Sequence, residues 1–333
     1  MTKIVVWVAA LVVAVVALAA AAYWYSLSLP GKAFTGPLPP VTKAEANLAQ
    51  RLQGHVTAIA SVPHNVSHPD DLQKSAAYID GALQGLGLTP QSQVFETDGV
   101  ETRNIEVVLA PPGAAPNNEN IVVGAHYDSA GVAPGANDNG TGVAAVLELA
   151  RLLKDAPLKG KTLRLVLFVN EEPPYDRTPL MGSVRYANML KEKKVPVAGM
   201  LSLETLGCFS DEPGSQKYPA PFGLIFPNKA NFIAFVALTG ARSFLHEVVA
   251  SFRKHTDFPT IGGTAPDVVD GIGWSDHWSF SQAGYPAVMV TDTALFRYRH
   301  YHKPTDTPDK VDYKKLARIT LGLEPTVRDL LQQ

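Results

Sequence analysis

From residue 45 onward the chain alternates between two spacings of apolar residues. AEANLAQRLQGHVTAIASV and DDLQKSAAYIDGALQGLGL repeat their apolar positions every three to four residues, and the second ends on Gly85 and Gly87. That period predicts two helices, each with one buried face. RNIEVVLAPPG and ENIVVGAHYDS are short apolar runs closed by turn residues, which predicts two strands. GTGVAAVLELARLLKDA returns to helical spacing, with Val143, Val146, Leu147, Ala150 and Leu153 along one face. TLRLVLFVN is apolar with little alternation, as in a strand covered on both sides. VAGMLSLETLG and YPAVMVTDT predict two further strands, and YKKLARITLGLEPTVRDLLQ a closing helix. Strands alternating with helices imply an α/β fold, a largely parallel mixed sheet with helices on both faces.

The first residues break this pattern. Residues 4–25, IVVWVAALVVAVVALAAAAYWY, carry no charge and are apolar on every helical face. At about 1.5 Å per residue such a helix spans a hydrocarbon core of roughly 30 Å. Trp7 lies near one end, and Tyr23, Trp24 and Tyr25 at the other, where aromatic rings prefer the membrane interface. Residues 1–25 are therefore expected to form an N-terminal signal anchor that crosses the membrane once. Lys3 on the short side predicts a cytoplasmic N-terminus and an extracytoplasmic body, periplasmic or extracellular. The alternative is a signal peptide cut near Ala19 to Ala22, which would leave the body secreted. Residues 26–44, SLSLPGKAFTGPLPPVTKA, are rich in Pro and predict a linker, leaving 45–333 as the body.

Composition removes several function classes. The 333 residues include 29 basic and 31 acidic side chains, and no basic stripe suggests a nucleic-acid partner. A lone cysteine, Cys208, excludes an internal disulfide, so stability must come from the core or from metal. Asn65-Val66-Ser67 and Asn139-Gly140-Thr141 fit the glycosylation acceptor pattern, which also arises often by chance.

The chemistry gathers at strand ends. In LRLVLFVNEEPP an apolar strand finishes in Glu171 and Glu172, followed by two prolines. Like charges resist burial together, so a buried pair needs a compensating partner, whereas a solvated pair needs none. In open α/β sheets ligands bind beyond the carboxyl ends of the strands, and other strands end in similar groups. GAHYDS places His126 and Asp128 there, the following loop presents Asp138, and LSLETLG brings Glu204. A late loop, RYRHYHKPTDTPDKVD, adds His300, His302, Asp306 and Asp309. Any one of these alone would most often be a cap or a solvated loop residue. Recurring histidine and carboxylate without thiolate suits a hydrolytic metal site, zinc first, with manganese or cobalt as alternatives. Two divalent cations carry +4, and two neutral imidazoles with three carboxylates offset −3 of it. One glutamate of the pair then remains free to take a proton from water. Adjacent strand residues point to opposite faces, so the pair must lie where the strand breaks, a break that Pro173 and Pro174 enforce.

Taken together, GAHYDS, PGANDNGTGVAAVLELARLL, LFVNEEPP, LSLETLG, SDHWSF and YHKPTDTPD resemble the M28 zinc peptidases, cocatalytic di-zinc aminopeptidases and their relatives, over roughly residues 45–333. The resemblance implies a zinc exopeptidase-like α/β/α sandwich holding two Zn2+ per chain and acting on peptide or protein substrates. It implies that Asp138 bridges the metals, with His126 and Glu204 completing one site and Glu172 and His302 the other. Glu171 would be the general base, Asp128 would orient His126, and the Asp138–Asn139 peptide bond would be cis. Glu204 stands where many relatives carry Asp, one methylene shorter. The family pattern of His followed by x-P-x-D-T selects His302 over His300. Asp276 and His277 in SDHWSF match a late family motif, with packing and loop capping as the competing explanation.

The expected activity is a metallopeptidase, most of all an aminopeptidase. A carboxypeptidase or glutaminyl cyclase would use the same scaffold on other substrates. A non-catalytic anchored binding ectodomain is the reading from a different class, and it is disfavoured by a competent residue at every expected ligand position. The stretch from Cys208 to Asp270, with FSDEPGSQKYPAPFGLIFPNKANF near its start, is expected to supply part of a substrate wall.

Overall fold

The structure, a computed structural model, describes residues 2–115 and 117–332. Helix α1 (Thr2–Leu27) leads, and residues 4–25 are exposed along its whole length. Helices α2 (Lys43–Ile59) and α3 (Pro69–Gly85) follow, matching the helical spacing of their apolar residues. Thr42 starts α2 with a reciprocal cap: its hydroxyl accepts from Glu45 N, while Glu45 accepts from Thr42 N. The same carboxylate takes two hydrogen bonds from Arg318, which ties this helix start to the C-terminal helix.

Strands β1 (Gln91–Thr97), β2 (Val100–Leu109), β3 (Asn120–His126) and β4 (Thr162–Phe168) come next, with α4 (Thr141–Leu153) between β3 and β4. Then follow α5 (Gly182–Glu192), β5 (Val197–Glu204), β6 (Ile233–Leu238), α6 (Arg242–His255) and β7 (Thr260–Ala265). Helix α7 (His277–Ala283), β8 (Ala287–Thr291), α8 (Ala294–Arg297) and α9 (Tyr313–Gln332) complete the chain. All eight strands form one sheet in the order β1-β2-β4-β3-β5-β8-β6-β7. The centre, β4-β3-β5-β8, is parallel, and antiparallel pairs join β1 to β2, β2 to β4 and β6 to β8. This is the largely parallel mixed sheet that the alternation predicted.

Three strands are additional to that expectation: β1, β6 and β7. Strand β1 is a polar edge with little apolar signal, QSQVFET. Strand β7, TIGGTA, carries two glycines that hide its strand character from any propensity argument, and β6 follows an irregular stretch. Helices pack on both faces. Helices α2, α3, α4, α6 and α9 share the larger core with one side of the sheet, whereas α5 and α7 cover the other around Phe168, Tyr186 and Phe280. The parallel register sets His126 of β3 opposite Phe168 of β4, and Gly124 opposite Ser202 of β5. The carboxyl ends of the central strands therefore open on one rim.

Candidate metal centre

Each side chain at this rim is delivered by a local device. His126 is the last residue of β3, and its Nδ1 is hydrogen-bonded to the main-chain oxygen of Asp128 at 3.1 Å. The Asp128 carboxylate, 3.6 Å from the same ring, accepts instead from the main-chain N–H groups of Glu171 (3.1 Å) and Glu172 (3.2 Å). Asp128 thus touches His126 through its backbone and fixes the glutamate pair through its side chain. The pair lies past the end of β4, where Asn170 has φ +61° and the Pro173–Pro174 bond is cis.

Asp138 sits in the turn before α4, and its peptide bond to Asn139 is cis, as expected from the resemblance. Asp306 clamps this turn, accepting from Asn137 N (2.8 Å), Asp138 N (3.1 Å) and the Tyr298 hydroxyl (2.7 Å). The Asn139 side chain then links the turn to the end of β5. It donates to Leu203 O (2.8 Å) and accepts from Thr205 N and Gly142 N, both at 3.1 Å. Position 142 must be glycine, because a Cβ there would lie 2.3 Å from Leu203 O and 2.4 Å from Asn139 Oδ1. Asn139 is 1% exposed, so its match to the glycosylation pattern is not a surface site. Glu204 ends β5 and accepts from the Ser275 hydroxyl at 2.8 Å. His302 lies in the loop after α8 at φ +56°, its ring stacked on Tyr301 with centroids 3.9 Å apart.

These elements bring the expected residues together. His126 Nε2 is 3.4 Å from Asp138 Oδ1, 3.3 Å from Glu204 Oε2 and 3.8 Å from Glu171 Oε2. On the other side, His302 Nε2 is 3.1 Å from Asp138 Oδ2 and 3.2 Å from Glu172 Oε2. Asp138 therefore turns one oxygen toward each histidine. Two buried triples, His126-Asp138-Glu172 and His126-Glu171-Glu204, place their ligand atoms within 4.8 Å of one another. His126 Nε2, Asp138 Oδ2 and Glu172 Oε1 are buried and make no hydrogen bond. Buried polar atoms left unpaired are costly, and a set of them aimed at one point fits a cation.

The charges report the same deficit of positive partners. Burial, followed by the charge of Asp138, pushes Glu172 up to about 8. Glu171 is also raised well above the carboxylate range by burial, opposed by His126 and reinforced by Glu204 and Glu172. Burial disfavours the charged rings, yet the surrounding carboxylates hold His302 protonated up to about 10 and His126 well above its usual value. The histidines act as the positive charges of the cluster, and a bound metal would displace those protons.

Of the other candidates, His300 and Asp309 lie apart from the cluster, whereas Asp276 adds to the negative charge felt by Glu171. His300 Nδ1 bonds Thr305 Oγ1 at 2.8 Å, and Asp309 faces solvent beside Lys310. His277 Nε2 bonds Ile272 O at 2.7 Å, which fits packing and capping. Asp276 is fully buried with both carboxylate oxygens unpaired, and burial raises it to about 7. Sequence reasoning missed the supporting roles of Ser275, Asp306 and the Asn139 side chain. All three stand beside motif residues, but only tertiary contacts reveal which groups they bond.

A parallel α/β core that gathers histidines and carboxylates at its strand ends is the build of a metallopeptidase. The family model for peptidase family M28 matches residues 106–326, and the chain belongs to that family. It is 36% identical over 271 residues to the uncharacterized protein YfbL of Escherichia coli, covering 78% of this chain and 81% of that one. A probable leucine aminopeptidase 1 of Trichophyton verrucosum is 28% identical, covering 82% and 72% of the two chains. Among solved structures, BSAP, a zinc aminopeptidase from Bacillus subtilis, superposes with TM-score 0.67 at 16% identity, covering 90% of this chain and 97% of that one. A Fimbriiglobus ruber glutaminyl cyclase superposes with TM-score 0.64 at 21% identity, covering 92% and 100%. The protein is a metallopeptidase of mixed eight-stranded α/β fold.

Proposed function

We propose that the protein is a di-zinc aminopeptidase held at the membrane by its N-terminal helix. The observation that carries this reading is Asp138 poised between His126 and His302, with unpaired atoms of three buried side chains facing inward. His126, Asp138 and Glu204 would hold one zinc ion, and Asp138, Glu172 and His302 the other. Bound zinc supplies Lewis acidity, which lowers the pKa of a water and polarises a carbonyl. Glu171 is left over from that ligand set. Its carboxylate accepts the proton of the attacking water and returns it to the leaving amine. Asp128 keeps this base in place through the Glu171 N–H.

Aminopeptidase activity is favoured over other M28 chemistries by the leucine aminopeptidases among the curated relatives. In the proposed organisation residues 1–25 anchor the chain, 26–44 connect it, and 45–333 form the catalytic domain, which is extracytoplasmic. The test is a panel of zinc-loaded reactions on free and N-blocked peptides. Release of N-terminal residues from free peptides alone supports the proposal. Cleavage of N-blocked peptides from the other end would replace it with a carboxypeptidase, and an N-terminal pyroglutamate product with a cyclase.

A further inference from the structure

Beside the metal centre lies an apolar recess of ≈ 130 Å³, whose wall includes Glu204, Tyr301, Phe222, Phe226, Ile261 and Leu27. Leu27 is also the last residue of the apolar span Ile4–Leu27. One residue thus belongs both to the end of the membrane helix and to the wall of the cavity next to the catalytic groups.

The exit of that helix is seated on the body. Arg242 Nε donates to Tyr25 O at 2.6 Å and Arg242 Nη2 to Ser28 Oγ at 3.0 Å, while His246 Nε2 meets Ser28 O at 2.8 Å. Arg253 Nη1 donates to Pro30 O at 2.7 Å. Strand β7 receives the helix end closely: a Cβ at Gly263 would lie 2.7 Å from both Ser26 O and Leu27 Cδ2. Residues of β7 also form the recess, so the seat fixes the cavity against the level where the helix leaves the bilayer.

Apolar side chains of the recess wall, and others next to them in the chain, face water. Trp274 and Leu295 of the wall are exposed, and Leu224, Ile225 and Val268, each within two residues of the wall residues Phe226 or Val269, are exposed too, Leu224 and Val268 to 90%. Single exposed apolar residues are ordinary, but a cluster marks a contact surface. Its continuity with the end of α1 identifies the occupant. We propose that this rim rests on the same bilayer that α1 crosses, so that the recess opens at the lipid surface and receives apolar N-terminal residues of peptides partitioned there. Aromatic and aliphatic side chains at such a level bind the interface. The inference rests on the peptidase and anchor readings above.

The test uses full-length protein in phosphatidylglycerol-containing vesicles on a Cys208→Ser background. A fluorophore is attached at Leu224→Cys, Val268→Cys or, as a reference on the distant edge strand β1, Val94→Cys. Spin-labelled lipids should quench the first two at least threefold more than the third. Equal quenching overturns the inference, and protection that grows with the protein-to-lipid ratio assigns the rim to a second copy and overturns it too. Quenching needs no catalysis, so it decides membrane contact even if the peptidase reading fails. In a second arm, Leu224→Ser combined with Val268→Ser should lower turnover of a lipid-tethered leucyl peptide about tenfold relative to the same peptide free in solution. An unchanged ratio overturns the feeding of substrate from the lipid, and a ratio cancels any loss of folded enzyme. A wild type inactive on both peptides sinks the peptidase reading and this second arm together.

Discussion

Glu171 and Glu172 are neighbours in the chain, yet their carboxylates face different partners. Glu172 reaches the Asp138–His302 side, whereas Glu171 Oε2 lies 3.8 Å from His126 and outside the proposed ligand set. Glu171→Gln keeps the size and the N–H anchored by Asp128, so zinc content should stay at wild-type level while kcat falls by about 10²–10⁴. Metal analysis and hydrolysis on one preparation check both halves, and near wild-type turnover in a zinc-replete Gln variant refutes the role. Asp128 acts on two fronts, so Asp128→Ala should weaken zinc binding by about 10–100-fold, read by competition with a chelator. At this scale the sequence was informative wherever a motif fixed the spacing. His126, Asp138, the glutamate pair, Glu204 and His302 all meet at the rim. The bonding of Asp128 was not legible, because a carboxylate two residues from a histidine can as readily bond a distant backbone.

Elements carry these side chains, and two contacts between elements are open to test. The start of α4 meets the end of β5 through Asn139, with Gly142 pressed against Leu203 O. Gly142→Ala should lower stability by about 1–3 kcal/mol in urea unfolding and reduce zinc affinity with it, because it separates Asp138 from Glu204. On the outer side of α4, Glu148 is fully buried among Arg51, Arg151 and His55. Burial would raise its pKa, but these partners lower it from 4.5 to about 2. A depressed carboxylate pKa contributes stability above its unfolded value that disappears as pH falls through the folded value. Glu148→Gln should therefore cost about 2 kcal/mol at pH 7, discounted for the half-exposed Arg51. The gap to wild type should narrow between pH 4.5 and pH 2 in denaturant titrations; a constant gap contradicts this account. Helices α2, α3 and α9 were readable because each buries an apolar stripe, and α4 because its large apolar residues keep helical spacing although it is buried on every side. Strand β7 was not, since Gly263 serves a close approach to the helix end, Gly262 one to the backbone of Phe235, and the pair leave no hydrophobic pattern.

The whole molecule joins a rim of histidines and carboxylates, an apolar recess and an apolar N-terminal helix long enough to cross a membrane. If α1 is an uncleaved anchor, alkaline carbonate washing should leave the full-length protein in the membrane fraction, with intact N-terminal peptides by mass spectrometry. Soluble protein that begins near residue 20 would instead show a cleaved signal. The sheet was legible as a whole because alternation of strands and helices leaves few topologies, whereas the seat of α1 on Arg242 and Arg253 was not. Residues 26–31 look like flexible linker by composition, and only the body opposite them supplies their partners. The central claim is that five side chains from five separate segments share two cations at one rim. Anomalous diffraction at the zinc edge, on crystals of zinc-replete protein, tests it most directly. The account predicts two peaks about 3.5–4 Å apart on either side of Asp138, one touching His126 and Glu204 and the other Glu172 and His302. A single peak, or zinc bound elsewhere with these side chains unliganded, would contradict it.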